Sequence, residues 1–373
     1  RAAIGVGNIV TGVVLSTFDN PNLKWETTRQ FNAGVDVGFM DNKYSLTVDY
    51  YKKRTSNLLI NANIPADNGF STYATNMGAI QNQGVDIDAS ARLFSGSFKW
   101  TLSGNISFNR SKVLDVGPAG IIFGQSIMAN GLGQNLTIAR PGSSVGAFYG
   151  YRVTGVYQNA DEVSKGPKDP VNPAPGDLKY ADISGPNGVP DGKITADDRV
   201  ILGRPDPNYS FGISNAFSYK RFSLSILIYG SIGQSVANLN RYFSDGMVYA
   251  ASGNIRTEAY QHRWTGEGTS NFYPRAKTTG TLVDTRFSNF LLEDGSFVRL
   301  KNVNLSYDIP IARVKFFHNM SVFVNATNLV TITKYKGYDP EISGISSNGL
   351  DRGIDYGTIP LYRTFSFGIN AAF

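Results

Sequence analysis

The sequence predicts an all-β fold, a transmembrane antiparallel β-barrel. Three observations point there. Segment after segment alternates apolar and polar residues with the period of two that a strand imposes. Hydrophobic residues make up 41% of the 373 and charged residues only 17%, yet no run approaches the ~18 consecutive apolar residues of a membrane helix. Short and long connections also take turns along the chain, the asymmetry of barrels that cross a membrane.

Composition narrows the function classes. Forty Gly, twenty Tyr and twenty-three Phe fit strands joined by many turns. With no Cys, disulfides, thiol catalysis and cysteine metal sites are excluded. The net charge of +6 is spread out, which argues against a nucleic-acid partner. His262 and His318, the two histidines, are too far apart in sequence for a metal motif. No His-Glu-x-x-His or phosphate-binding Gly loop occurs, so an enzyme is not expected. Arg1 opens inside running sequence without a charged-then-apolar leader, and a fragment is expected.

The elements follow in order. Trp25–Phe39 carries Phe31, Ala33, Val35, Val37 and Phe39 on one face and Asn32, Gly34, Asp36 and Gly38 on the other. Asp41-Asn42 makes a tight turn. Tyr44–Tyr51 resumes the alternation, and a longer connection runs through Pro65 to Gly69. Val85–Leu93 and Phe98–Asn109 form a second pair around Ser95-Gly96-Ser97. Leu136–Ala139 is a weak strand, Pro141–Ser144 a turn and Ala147–Tyr157 a further strand. After a polar insertion at 159–207 come Tyr209–Tyr219 and, past Lys220-Arg221, Phe222–Ile228. Residues 236–289 are long and irregular; strands near Val298–Tyr307, Met320–Thr327 and Leu361–Phe373 follow, with a Gly-rich loop at 337–360.

That is eleven strands, alternating down and up without a parity error when Leu136–Ala139 is counted. A soluble sandwich shows the same alternation but has no reason to put every long loop at one end. An odd strand number does not close in the even pattern of bacterial barrels, which again suggests part of a larger one. The rival readings are a passive porin and a secreted or surface β-domain for adhesion or binding.

Several stretches resemble the C-terminal half of SusC/RagA-like TonB-dependent transporters of the Bacteroidetes outer membrane. They are Asn20-Pro21-Asn22-Leu23-Lys24-Trp25-Glu26, Asn76-Met77-Gly78 through Asn82-Gln83-Gly84-Val85-Asp86, and Tyr149-Gly150-Tyr151 with Gly155-Val156-Tyr157. Leu292-Glu293-Asp294-Gly295-Ser296-Phe297-Val298-Arg299-Leu300, Asn325-Ala326-Thr327-Asn328-Leu329 and Gly337-Tyr338-Asp339-Pro340-Glu341 follow in family order. The resemblance implies a barrel of roughly twenty-two strands around an N-terminal plug that is absent from this sequence. Residues 1–373 would then be the C-terminal part of the barrel. It also implies TonB-powered import of a nutrient, glycan or peptide, with a SusD-like lipoprotein partner. In the final strand, Phe367, Ile369 and the terminal Phe373 become the signal read by the barrel-insertion machinery.

One local motif suggests a structural calcium ion. Asp182 and Ser184, then Asp191, the Lys193 carbonyl and Asp198 have the spacing of a calcium loop, interrupted by the insertion Pro186–Pro190. The plainer reading is a Pro/Gly turn with solvated carboxylates. Tyr242, Phe243, Tyr249, Tyr260 and Trp264 in outward loops can stack on sugars or pack locally. Asp86, Asp88, Arg92 and Lys99 are placed on the polar, lumen-facing side.

Overall fold

The structure is a computed structural model, and it describes residues 2–4, 10–12, 19–63, 72–127, 134–245, 254–277, 286–310, 318–345 and 349–372. Its frame is one nine-stranded antiparallel sheet in which sequence neighbours are spatial neighbours. The strands are β1 (Thr27–Phe39), β2 (Tyr44–Ser56), β3 (Ala79–Ser95), β4 (Phe98–Asp115), β5 (Tyr209–Tyr219), β6 (Phe222–Ile232), β7 (Phe297–Asp308), β8 (Asn319–Thr333) and β9 (Thr364–Ala372). Among the described residues no helix is long and apolar enough to cross a membrane.

The count of eleven becomes nine in this sheet. Leu136–Ala139 and Ala147–Tyr157 are not wall strands. Thr137–Ala139 and Ala147–Gly150 pair with each other, with Ile122–Phe123 and with Val200–Gly203 in a separate four-stranded sheet. Val153–Val156 pairs with Leu178–Tyr180. The physical reason is burial on all sides: Leu136, Ile138 and Phe148 are 0% exposed, where the apolar face of a wall strand stays open, as at Val35, 60% exposed. Parity survives because two segments drop out together. The turn at Pro141–Ser144 therefore sits at the end where the long loops lie.

Turn chemistry sets one end of the sheet. Met40, Asp41 and Asn42 have φ of 51°, 55° and 58°, and Lys220 has 55°. Asx residues tolerate this left-handed region, which matches the twist of a tight hairpin. The connections at 40–43, 96–97, 220–221 and 309–318 leave from this end. Those at 57–78, 116–208, 233–296 and 334–363 leave from the other.

Register separates the two faces. Val35 opposes Val48, which opposes Ile87, which opposes Ile106, which opposes Phe211. On the other face Asp36 opposes Thr47, with the Thr47 hydroxyl donating to Asp36 Oδ1 at 2.5 Å. In β7 a register shift beside Lys301 flips the parity, so Val303, Leu305 and Tyr307 share the apolar face with Leu300 and Val298 beyond it. β9 contributes Phe365, Phe367 and Ile369, 60–76% exposed, to this face. Phe373 lies outside the described residues.

Aromatics rim the apolar face at both ends. Near the long loops Phe31 meets Tyr50 at 6.4 Å between ring centroids, and Phe108 meets Tyr209 at 5.7 Å. Near the short turns Trp100 stacks on Phe217 at 5.5 Å and Phe222 meets Tyr307 at 4.7 Å. Along β5 the rims at Tyr209 and Tyr219 are about 34 Å apart at 3.4 Å per residue, or about 24 Å in height for a strand tilted by about 45°. That matches the apolar band of about 25 Å of a transmembrane barrel.

Candidate functional site

The long connections do not wander; they fold into one packed body at their end of the sheet. Its core gathers Leu136, Phe148, Leu178 and Ile194 from 116–208, Leu239, Ala259, Phe287 and Leu291 from 233–296, and Ile354 from 334–363, all at most 2% exposed. Phe148 and Phe287 pack at 6.2 Å, and the Tyr151 N–H donates to the Phe287 carbonyl at 2.9 Å.

Buried ion pairs staple the loops to one another. Asp177 receives Arg275 Nε at 2.9 Å and lies 2.8 Å from Lys277 Nζ. Burial pushes the Asp177 carboxyl up, but hydrogen bonds from Arg275 and Lys277 prevail and hold it below the usual carboxylate range. Asp245, wholly buried, behaves the same way: burial opposes, and Arg256 and Arg241 lower it. Asp169 pairs with Arg286 at 2.6 Å, whose guanidinium lies 3.9 Å from the Tyr180 ring centroid. Burial, and the hydrogen bond it makes to Asp355 at 2.5 Å, push the Tyr335 hydroxyl well above its ordinary value. Arg299, 1% exposed, joins the platform to the wall through Asp339 at 2.6 Å and Glu341 at 2.8 Å. Sequence reasoning missed these partners. The acids of the "polar" insertion at 159–207 have bases about a hundred residues away or more, and only the fold brings them together.

The proposed calcium residues do meet in one loop. Asp182 accepts from the Asp191 N–H at 3.2 Å and the Gly192 N–H at 2.7 Å. Asp198, 0% exposed, accepts from Ile183, Ser184 and Thr195 N–H groups at 2.7, 3.1 and 2.7 Å. Asp191 accepts from the Lys193 N–H at 3.0 Å. Three carboxylates thus close the loop on its own amides. Among the described residues no group of three or more His, Asp or Glu side chains is placed to hold a metal ion.

Of the loop aromatics, Tyr242 is buried against Phe243, while Tyr260 is 56% exposed beneath Arg263 at 4.0 Å. Trp264 packs against the core, and Tyr249 lies outside the described residues. On the polar face of the wall, Asp86 accepts from the Ser107 hydroxyl at 2.5 Å and Arg92 donates to the Asp41 carbonyl at 2.8 Å. Neither Asp88 nor Lys99 forms an ion pair with a described residue. The arrangement is a packed platform, held by its own core and ion pairs, at one end of a wall with one apolar and one polar face.

Comparison with known proteins agrees. The family model described as "TonB dependent receptor-like, beta-barrel" matches residues 5–329. A TonB-dependent receptor P3 of Formosa agariphila is 31% identical over 98% of this chain and 36% of its own length. The TonB-dependent receptor SusC of Bacteroides thetaiotaomicron is 26% identical over 95% of this chain and 32% of its own. The solved structure of the RagAB peptide transporter superposes with a TM-score of 0.78 at 25% identity, covering all of this chain and 38% of that one. The chain thus spans about a third of the length of the curated relatives it matches. These are barrels of the outer membrane, so the apolar face of the wall is the one that lies against its lipid. The chain belongs to the TonB-dependent receptor-like β-barrel family.

Proposed function

We propose that this chain is the C-terminal part of an active importer that takes a nutrient, glycan or peptide, across the outer membrane, powered through TonB and capped by a SusD-like lipoprotein. The observation that supports it is the platform. Loops from three connections share one hydrophobic core, and buried salt bridges cross between two of them, which supports a preformed surface at the barrel mouth. Exposed Tyr260, Tyr338 and Tyr356 on its connections offer rigid amphipathic contacts for a lid or solute. The likeness to the RagAB peptide transporter supports trying peptides first on the panel, with glycans as the other nutrient class.

The test is growth of a deletion strain on a panel of glycans and peptides, repeated in a strain lacking TonB. Loss of growth on one class in both strains supports the proposal. Unimpaired uptake without TonB would refute active import and favour a passive pore. Co-purification of a surface lipoprotein with the full-length protein tests the lid.

Two smaller proposals accompany it. The β9 strand, with Phe367 and Ile369 on the lipid side and Phe373 at its end, is the segment read by the barrel-insertion machinery; Phe373→Ala should lower the amount of protein reaching the membrane. A structural calcium ion in the loop of Asp182, Ser184, Asp191, Lys193 and Asp198 is proposed on the sequence spacing of these residues alone. Calcium absent from the purified full-length protein, or unchanged in Asp191→Ala, would refute it.

A further inference from the structure

Two rows of the lipid side stand out because they are basic. Immediately beyond the outer aromatic rim, Phe31, Lys52, Gln83 and Arg110 lie side by side across β1 to β4. The next row is Arg29, Arg54, Gln81 and Lys112. The five cations are exposed, and none forms an ion pair with a described residue. No carboxylate occupies either row. Arg29 and Arg54 oppose each other directly, a placement of like charges that destabilises a strand pair. Gln81 and Gln83 hydrogen-bond to each other at 3.0 Å and neutralise nothing.

The height fits a lipid headgroup. The rows lie two and four residues past Tyr50 and Phe108, about 7 and 14 Å along the strand, or about 5 and 10 Å in height after tilt. The polar layer flanking the hydrocarbon is about 5–8 Å thick on each side, so the first row lies within it and the second just past its outer edge, within reach of a long side chain. Long cationic side chains there rest their stems on the apolar belt and present their charge to phosphate. The feature is local: at the same end β6, β7 and β8 show Ile232, Val298 and Ile332 on this face.

A cavity adjoins the rows. β4 outruns β5, which pairs with it only up to Ser107. Beyond that point the Val113 N–H and carbonyl bond to Ser143 and Gly142 instead. A cavity of ≈ 670 Å³ opens beside this junction, lined among others by Gln83, Arg110, Lys112, Ser143, Ser144 and Arg204, with no carboxylate in its lining. Burial and the neighbouring charge of Arg110 pull the Arg204 guanidinium below its ordinary value, against the opposing pull of Asp206, whose carboxylate pairs with Arg352 at 2.7 Å.

We propose that Arg29, Lys52, Arg54, Arg110, Lys112 and Arg204 bind the phosphates of a phosphorylated glycolipid of the outer leaflet, whose sugar enters the cavity between Ser143, Ser144 and Gln83. The site depends on the outer-membrane location of the barrel and not on what the protein imports.

The test uses the full-length transporter in phosphatidylcholine nanodiscs carrying either bisphosphorylated or dephosphorylated lipid A, with retained lipid counted by native mass spectrometry. The unaltered protein is expected to retain the phosphorylated form at least about tenfold better. Arg54→Gln/Arg110→Gln/Lys112→Gln is expected to lose that preference, Arg54→Lys/Arg110→Lys to keep it, and Lys43→Gln/Lys220→Gln at the opposite rim to leave it intact. Heat-dependent gel mobility checks that each variant is folded. Equal retention of the two lipids by the unaltered protein would overturn the proposal, and that arm decides even where the triple variant fails to fold. Equal loss from the opposite-rim variant, or displacement of the lipid by inorganic phosphate, would overturn it too.

Discussion

Asn215 faces lipid one row inside the lower aromatic rim, among Ile213 and Phe217. It is tolerated there because the Trp100 indole N–H donates to its Oδ1 at 3.1 Å. Trp100→Phe keeps the aromatic stack on Phe217 and removes the donor. The stranded amide oxygen then costs about 1–3 kcal/mol by the rule for buried unpaired polar groups. Side-chain hydrogen bonds within bilayers couple by about 0.6 kcal/mol on average and reach about 1.7. The single, well-placed bond here sets the expected coupling at about 1 kcal/mol. A double-mutant cycle with Asn215→Val isolates it, because the loss of ring area on going from Trp to Phe appears in both backgrounds and cancels. The readout is the guanidinium midpoint of the full-length protein in liposomes, followed by heat-dependent gel mobility. Trp100→Phe should cost about 1 kcal/mol more with Asn215 present than in the Asn215→Val background. Equal costs in both backgrounds, within about 0.3 kcal/mol, would show that the indole acts only as a rim aromatic.

Other outcomes follow from the platform. Asp177 and Asp245 titrate below the unfolded carboxylate value of about 3.9, so their contribution is complete above that pH and is lost as pH falls through their folded values. Protease resistance of the loops should therefore hold from pH 7 to about 5 and fail only below about 4; failure beginning near pH 6 would contradict the pairing. Arg299→Ala strands the buried Asp339, while Glu341 keeps Lys301 at 2.9 Å, and should cost about 3 kcal/mol, read as a lowered thermal midpoint. Phe287→Ala empties the contact with Phe148 in the platform core and should cost about 3–5 kcal/mol, with loop proteolysis rising before the barrel loses its heat-dependent mobility.

The wall was legible because its code is local. Each strand states its two faces in its own residues, and the tight turn at Asp41-Asn42 states its geometry in two. The bounds blurred where the pattern changes rule. β4 runs on to Asp115 through Arg110 and Lys112, which break the apolar alternation because that stretch has left the hydrocarbon. β8 continues past Thr327 through Asn328, at φ 52°, where the register against β7 shifts. The two segments mistaken for wall strands, Leu136–Ala139 and Ala147–Tyr157, carry apolar residues for a different reason: they are the core of the platform.

The platform was illegible because its code is not local. Asp169, Asp177 and Asp206 look solvated in a stretch rich in Pro and Gly, yet each is buried against an Arg 98 to 146 residues distant. Charge in a loop is ordinarily a sign of water, and here it marks the seams at which separate loops lock. The same inversion applies to the basic rows on β1 to β4. A period-two reading scores Lys52, Arg54, Arg110 and Lys112 as the end of a strand's apolar face and discards them. Placed in register with Arg29 they become five cations at the rim without an ion-pair partner among the described residues, beside a cavity without a carboxylate. A charge is informative about function when the fold denies it a partner. By that criterion the platform's ion pairs are structural, and the cations in register at the rim of the lipid face are the ones placed to meet a ligand.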